Sequence, residues 1–199
     1  MALTPSTMLP LGTAFPADAF RAALASGELE PVCGAPLDPA FPGGRPLLVL
    51  FLCAHCPFVI HIEPELSRLQ AHYGDRIQWI GLSSNSTLTH PQDGPEGLRA
   101  QALRNGWTFP YLLDREQRLA HAFRAACTPD PFLFGADLKL AYRGQLDGSR
   151  PGNAVPSDGR DLRAALEALL EGRPVEPQQT PSIGCNIKWS PGSEPAWAR

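Results

Sequence analysis

The sequence predicts an α/β protein with a central mixed β-sheet, helices flanking the sheet, and irregular N- and C-terminal extensions. Three observations support this fold class. An apolar run from Pro46 to Leu52 is typical of a central strand that is buried on both faces. Strand and helix patterns then alternate along the chain, which favours parallel strands joined by helices. Two later apolar runs flank Gly135-Ala136-Asp137, a hairpin signal that adds antiparallel strands to the sheet.

The other elements follow from local signals in chain order. A helix is expected to begin at Pro57, because proline fits the first helical position, and Pro64 should kink that helix. Gly43-Gly44 predicts a turn ahead of the first central strand. The remaining predicted segments are a helix at 17–25, strands at 76–82 and 109–113, helices at 96–105, 115–125 and 158–170, and a polar loop at 83–95.

Length and composition predict one main domain between two extensions. The chain has 199 residues, of which 43% are hydrophobic and 19% are charged, as in ordinary soluble domains. Its 22 prolines are concentrated towards the two ends, which indicates irregular structure there. We expect an N-terminal extension at 1–44, a main domain at 45–172, and a Pro-rich tail at 173–199 that packs on or near the domain.

Charge and hydropathy narrow the expected partners and location. The net charge is −3 and no block of Lys or Arg occurs, so neither nucleic acid nor a membrane is an expected partner. The first residues lack the basic and apolar regions of a secretory signal, and we therefore expect a cytoplasmic protein. In that reducing compartment, closely spaced cysteines are typical of catalytic or metal sites rather than structural disulfides. The odd count of five cysteines also argues against a fully paired disulfide framework.

The motif Cys53-Ala54-His55-Cys56 lies between the buried strand and the Pro-started helix. A helix N-terminus stabilises a thiolate, which is the reactive form of cysteine. Cys53, expected to be the more exposed, is predicted to attack a disulfide, and Cys56 to resolve the mixed disulfide. A protonated His55 would lower the pKa of the nucleophile further. The motif therefore predicts dithiol-disulfide exchange through a reversible Cys53–Cys56 disulfide, without another cofactor.

Two other interpretations of the cysteine pair stay open. The pair could be half of a zinc site, although no second Cys-x-x-Cys or His pair with ligand spacing appears in the sequence. It could also consist of two inert core cysteines. The strand–motif–helix context favours redox chemistry over both, so no metal is expected.

Six blocks of the sequence together resemble a known family. They are FLCAHCPFV at 51–59, SN at 84–85, TFPYLLD at 108–114, ACTPDPFLF at 126–134, YRGQLD at 142–147 and PSIGCNIKW at 181–189. In this order they resemble the peroxiredoxin-like proteins of the alkyl hydroperoxide reductase/thiol-specific antioxidant group, from residue 45 to the C-terminus. The resemblance implies a thioredoxin-like fold and an antioxidant-related redox activity.

The resemblance also implies supporting roles for Thr128 and Pro129. In thioredoxin-like proteins a cis-proline packs beside the cysteine pair, and the residue before it presents its backbone to a substrate chain as to an added strand. An ordinary trans proline in a loop is the alternative.

Two other cysteines are possible third thiols. A cis Pro129 would bring Cys127 close to Cys53, although a buried cysteine is also a common small core residue, which we favour for Cys127. Cys185 lies in the tail block, where it could cap the active site, form a disulfide, or only pack. Cys33 has no motif around it and is assigned no role.

The predicted function is that of a thiol-disulfide oxidoreductase acting on protein or small-molecule disulfides, with an unidentified thiol as electron donor. A peroxiredoxin-like thiol peroxidase is one alternative. When Cys56 is aligned with the peroxidatic cysteine of the motif Pro-x-x-x-Thr/Ser-x-x-Cys, Val49 and Cys53 replace the Pro and the Thr/Ser. A non-enzymatic redox sensor or binding module that uses the same cysteines is the other alternative.

Overall fold

Strands and helices alternate through most of the chain. The computed structural model describes residues 3–37, 41 and 44–198, and the turn predicted at Gly43-Gly44 lies partly outside them. The described strands are β1 (Leu3–Pro5), β2 (Leu29–Cys33), β3 (Leu47–Phe51), β4 (Gln78–Ser83), β5 (Tyr111–Asp114), β6 (Cys127–Thr128), β7 (Asp130–Phe134), β8 (Leu140–Arg143) and β9 (Ile183–Asn186). The described α-helices are α1 (Ala17–Ser26), α2 (Pro57–Tyr73), α3 (Pro95–Asn105), α4 (Arg118–Ala122) and α5 (Arg160–Leu170).

A six-stranded mixed sheet with the order β2-β5-β4-β3-β7-β8 forms the centre of the protein. β3, β4 and β5 are parallel neighbours, whereas β2, β7 and β8 each pair antiparallel with an adjacent strand. The predicted hairpin is confirmed: it joins β7 and β8, and a 2.9 Å hydrogen bond from Gly135 N to Lys139 O closes its turn. The sheet is therefore mixed, as the sequence predicts.

Helices cover both faces of this sheet. Leu48 and Leu50 of β3 pack into an apolar cluster with α2, α3 and α5, whereas Leu47 and Val49 pack with α1 and α4. This alternation is the period of a β-strand, and all five residues of β3 are buried, as the apolar run predicts. Fully burying each leucine contributes about 1.5–3 kcal/mol, so β3 is a rigid base for the residues that follow it.

Both extensions contain more regular structure than predicted. β2 pairs with β5 and so forms one edge of the central sheet. A second, three-stranded sheet with the order β1-β9-β6 joins the two ends of the chain beside Cys127–Thr128. Such short strands in Pro-rich sequence carry no clear local pattern, because their pairing depends on tertiary contacts. The domain limits at residues 44 and 172 stay predictions.

Two helices begin later than predicted. α4 begins at Arg118, because the Asp114 carboxylate accepts hydrogen bonds from the amides of Leu119 and Ala120 and so fixes the start of the helix. α5 begins at Arg160 rather than residue 158. The backbone amides of Asp158 and Gly159 donate to the Asp147 carboxylate, and these bonds hold the two residues outside the helix. None of the helices in the described part of the chain is both long and apolar enough to cross a bilayer.

Candidate active site

Cys53 and Cys56 lie where the central strand passes into the longest helix. β3 ends at Phe51, and Pro57 opens α2, as the sequence predicts; Cys56 is the N-cap residue rather than part of the first turn. Because the first turn of a helix has unpaired N–H groups and a positive dipole end, this position favours an anion at Cys56.

The sulfur atoms of both cysteines are buried. Cys53 and Cys56 are each 0% exposed, so the prediction that Cys53 is the more accessible of the two is wrong. All five cysteines of the chain are described, and each is a thiol. Both thiols are therefore closed to solvent in this structure.

The electrostatic environment separates the two thiols. Neighbouring groups lower the pKa of Cys56 to about 5; the largest effect is the Cys53 hydrogen bond, and further hydrogen bonds come from Cys185 and the Val59 amide. The pKa of Cys53 is raised by the same hydrogen bond to Cys56, by burial, and by the Asp93 carboxylate. The sequence assigned the attacking role to Cys53, but helix position and surroundings both favour the thiolate at Cys56.

Thr128 contacts both sulfurs from the opposite side of the site. Its peptide bond to Pro129 is cis, as the family resemblance implies. Thr128 Oγ1 lies 3.3 Å from Cys53 Sγ, and Thr128 O lies 3.3 Å from Cys56 Sγ and accepts its proton when Cys56 is a thiol. Thr128 is therefore placed to orient the pair.

The backbone edge at Thr128 is already occupied by the tail of the chain. β9 pairs antiparallel with β6, so that Cys127 lies opposite Asn186 and Thr128 lies opposite Cys185. The resemblance implies that this edge is open to a substrate chain, and the structure corrects that expectation. Gly184 allows the close approach, because a Cβ at this position would lie 1.9 Å from Thr128 O.

Of the two possible third thiols, only Cys185 reaches the pair. Its Sγ lies 2.9 Å from Cys56 Sγ. Cys127 instead directs its thiol towards Pro129 O at 3.8 Å and Ser182 O at 4.0 Å, and burial raises its pKa well above the ordinary value. These contacts fit the core role that we favoured for Cys127.

Asp93 organises the loop that carries His55, and no sequence pattern indicated this role. The Asp93 side chain is fully buried, and its Oδ2 lies 2.6 Å from His55 Nδ1 and accepts a 2.8 Å hydrogen bond from Asn85 Nδ2. Its Oδ1 accepts hydrogen bonds from the amides of Ala54 and His55 at 2.9 and 3.3 Å. The carboxylate therefore holds the loop through the His55 ring and through two backbone amides.

Gln101 fixes the backbone of Cys53 and was also missed. Its Nε2 donates to Cys53 O at 3.1 Å and to Glu63 Oε1 at 2.9 Å, and its Oε1 accepts from Tyr111 OH at 2.9 Å. The glutamate is paired in turn with Arg104. A fully bonded buried network of this kind holds its members in one arrangement.

The site contains three donor atoms at metal-binding separations. Ligand atoms of Cys53, His55 and Asp93 all lie within 4.8 Å of one another. However, both oxygens of Asp93 already have hydrogen-bond partners, namely the Ala54 amide at Oδ1 and Asn85 Nδ2 together with the His55 ring at Oδ2. This arrangement is typical of a hydrogen-bonding centre.

Residues 37–143, just over half of the chain, match the AhpC/TSA family. The chain belongs to the AhpC/TSA family. A comparison with curated proteins finds no match. The matched range contains the cysteine pair, Asp93, Gln101 and Thr128, whereas the tail that carries Cys185 lies outside it.

Two solved structures are similar to this AhpC/TSA-family chain over nearly its whole length. An uncharacterized conserved protein from Geobacillus kaustophilus is 40% identical with a TM-score of 0.84, covering 97% of this chain and 99% of its own. A hypothetical protein from Sinorhizobium meliloti 1021 is 36% identical with a TM-score of 0.82, covering 95% and 100%.

A more distant structure supports the fold alone. A thiol-disulfide isomerase from Corynebacterium glutamicum is 20% identical with a TM-score of 0.56, covering 71% of this chain and 90% of its own. The fold is thioredoxin-like, as the resemblance implies, and family and fold together support a thioredoxin-like redox function.

Proposed function

We propose that this protein is a thiol-disulfide oxidoreductase in which Cys53 and Cys56 form a reversible disulfide. The observation that carries the proposal is the position of Cys56 at the start of α2, beside a second thiol that stabilises its anion. A thiolate with an adjacent resolving thiol is the minimum requirement for dithiol exchange.

The exchange proceeds in two steps. The Cys56 thiolate attacks one sulfur of the substrate disulfide, forming a mixed disulfide and releasing the other substrate sulfur as a thiolate. Cys53 Sγ then attacks Cys56 Sγ, which forms the Cys53–Cys56 bond and releases the second substrate sulfur; the proton of Cys53 passes to a departing thiolate. Two electrons have moved from the protein to the substrate. Thr128 and Gln101 position the pair, and the His55–Asp93 pair holds the loop between the cysteines.

The proposed substrate is a protein or small-molecule disulfide, and a separate thiol donor returns the oxidised pair to the dithiol form. No further cofactor takes part, because the sulfurs themselves carry the electrons. A protein substrate that pairs with Thr128 has to displace β9 from β6, whereas a small disulfide requires a smaller opening. We place the protein in the cytoplasm, where the thiol pool supports regeneration.

A thiol peroxidase is the second candidate, and the low pKa of Cys56 favours it, because Cys56 aligns with the peroxidatic cysteine. In that reaction the thiolate attacks a hydroperoxide, releases an alcohol or water and becomes a sulfenic acid, and a neighbouring thiol then condenses with it to a disulfide with loss of water. The Pro and Thr/Ser of the peroxidatic motif are replaced by Val49 and Cys53. We therefore place disulfide exchange first and a non-enzymatic redox sensor third.

Parallel titrations separate these functions. The reduced protein is mixed with insulin or glutathione disulfide, and separately with hydrogen peroxide, and thiol loss is followed with time. We expect disulfide reduction by the wild type, none by Cys56→Ser, and arrest at a mixed disulfide in Cys53→Ser/Cys185→Ser, which lacks both thiols beside Cys56. Cys33→Ser is the matched control, because Cys33 lies on β2 outside the site and should leave the rate unchanged.

Fast peroxide consumption without disulfide reduction would replace the first proposal with the peroxidase. Wild-type rates in both Cys53→Ser and Cys56→Ser would contradict both enzymatic functions.

A further inference from the structure

Cys56 has two thiol neighbours rather than one. Cys53 precedes it in the motif, and Cys185 approaches from the tail with an Sγ–Sγ distance of 2.9 Å. A disulfide has an S–S length of about 2.05 Å, so the two sulfurs need to approach by only about 0.9 Å to bond. Cys56 is therefore the central sulfur of a group of three.

Cys185 is fixed in this position by its strand. β9 pairs with β6 on one side and with β1 on the other, which places Cys185 opposite both Thr128 and Leu3. Hydrogen bonds on either side of the strand hold it further: Ser182 Oγ donates to Pro129 O at 2.6 Å, and Lys188 N donates to Asn85 Oδ1 at 2.8 Å. Two paired edges and two anchors distinguish this thiol from one on a loosely packed tail.

We propose that Cys185 is a third thiol of the exchange reaction, which accepts the disulfide from Cys53 so that the oxidised protein also forms a Cys56–Cys185 bond. This inference rests on the proposed function. In the transfer step, Cys185 Sγ attacks Cys56 Sγ of the Cys53–Cys56 disulfide. The Cys56–Cys185 bond forms, the Cys53–Cys56 bond breaks with its electron pair leaving on Cys53 Sγ, and the proton lost by Cys185 ends on Cys53. The step is an isomerisation and needs no external oxidant.

The transfer has a structural consequence for the tail. While Cys56 is bonded to Cys185, β9 is covalently attached to the start of α2 and cannot leave the edge at Thr128. Cys53 is then a thiol in an oxidised protein. Reduction of the Cys56–Cys185 bond releases β9, so that the form able to accept a protein chain at Thr128 is the reduced one.

Disulfide mapping in Cys53→Ser tests the proposal directly. This variant is treated with one equivalent of glutathione disulfide, quenched with acid, alkylated and digested with trypsin. Cys56 and Cys185 lie on different tryptic peptides, because Arg68 and Arg163 separate them. We expect a cross-linked pair of peptides joined through Cys56 and Cys185, with release of both equivalents of glutathione.

Two double variants control for the identity of the partner. In Cys53→Ser/Cys185→Ser we expect glutathione to stay on Cys56, because neither resolving thiol remains. In Cys53→Ser/Cys127→Ser we expect the cross-link to persist, because the buried Cys127 thiol points to Pro129 O and Ser182 O and not to Cys56. A cross-link that vanished with Cys127 instead would overturn the assignment.

The same mapping on the wild type protects the test against a folding defect in the variants. Limited oxidation should give both the Cys53–Cys56 loop within one peptide and the cross-link to the Cys185 peptide. A wild type in which Cys185 is fully alkylated, together with a stable glutathione adduct on Cys56 in Cys53→Ser, would refute the third thiol while leaving the proposed function intact. Failure of the proposed function has a different signature, namely no insulin reduction and no Cys53–Cys56 disulfide in the wild type.

Discussion

The proposed reaction depends on Cys56 being a thiolate at neutral pH, and Cys53→Ala tests this requirement. Neighbouring groups lower the pKa of Cys56 from 9.0 to about 5, and the Cys53 hydrogen bond is the largest cause. Such a change raises the thiolate fraction at neutral pH from about 1% to about 99%. Alanine at position 53 removes that hydrogen bond, so we expect the pKa of Cys56 to rise by at least about one unit, which is a tenfold change in the ionisation constant.

The midpoint of the pH titration is more informative here than the reaction rate. The intrinsic rate constant of a thiolate falls as the pKa of its thiol falls, with a Brønsted coefficient of about 0.4–0.5. A decrease of about four pKa units therefore lowers the rate constant of the Cys56 thiolate by a factor of roughly 60. This loss offsets most of the hundredfold gain in the thiolate fraction. The assay is therefore the ultraviolet absorbance of the thiolate against pH in the wild type, in Cys53→Ala and in Cys56→Ala. The reasoning is refuted if the wild type shows no ionisation near pH 5, or if that ionisation survives in Cys56→Ala.

Three further predictions concern the groups around the pair. Burial raises the pKa of Asp130 from 3.8 to about 8, and neither of its oxygens has a well-formed hydrogen bond within the described residues. Because the folded state then holds a proton that the unfolded state releases above about pH 4, stability should fall by up to about 1.4 kcal/mol per pH unit as the pH rises towards 8. Asp130→Asn should remove this slope in urea denaturation at several pH values, and an unchanged slope would contradict the assignment. Asp93→Asn should lower the pKa of Cys53, because it removes the negative charge that disfavours the Cys53 thiolate. The thiolate absorbance against pH measures this pKa, and an increase would contradict the role of the Asp93 charge. Gly184→Ala should destabilise the protein by about 1–3 kcal/mol and reduce the cross-link between Cys56 and Cys185, because the new Cβ would clash with Thr128 O. Wild-type stability and cross-linking in that variant would show that β9 does not need this close approach.

The central part of the fold was predictable because its signals are local. The apolar run that forms β3 and the proline that opens α2 are both signals within a few adjacent residues. The cysteine motif lies between these two elements, so its position was predictable as well. The hairpin at Gly135 was predictable for the same reason, since turn residues fix the register of adjacent strands.

The missed features are all long-range. Asp93 lies in a polar loop whose composition resembles that of any solvated loop, and its role appears only when folding brings it against His55. Asn85 stands in one of the resembling blocks, but its bonds to Asp93 and to the tail at Lys188 could not be read from sequence. The relative acidity of the two thiols also depends on such neighbours, which explains why the sequence assigned the attacking role to Cys53.

The three-stranded sheet has a consequence for how the protein is made. β9 follows β8 in the chain, whereas the six-stranded sheet is complete once β8 has been synthesised. Since domains fold as units from the N-terminal side during synthesis, a ribosome-bound chain exposes Cys56 and the edge at Thr128 until β9 emerges. The newborn protein is therefore more open to oxidation and to strand pairing than the finished one. A chain truncated before residue 183 should keep that vulnerability permanently.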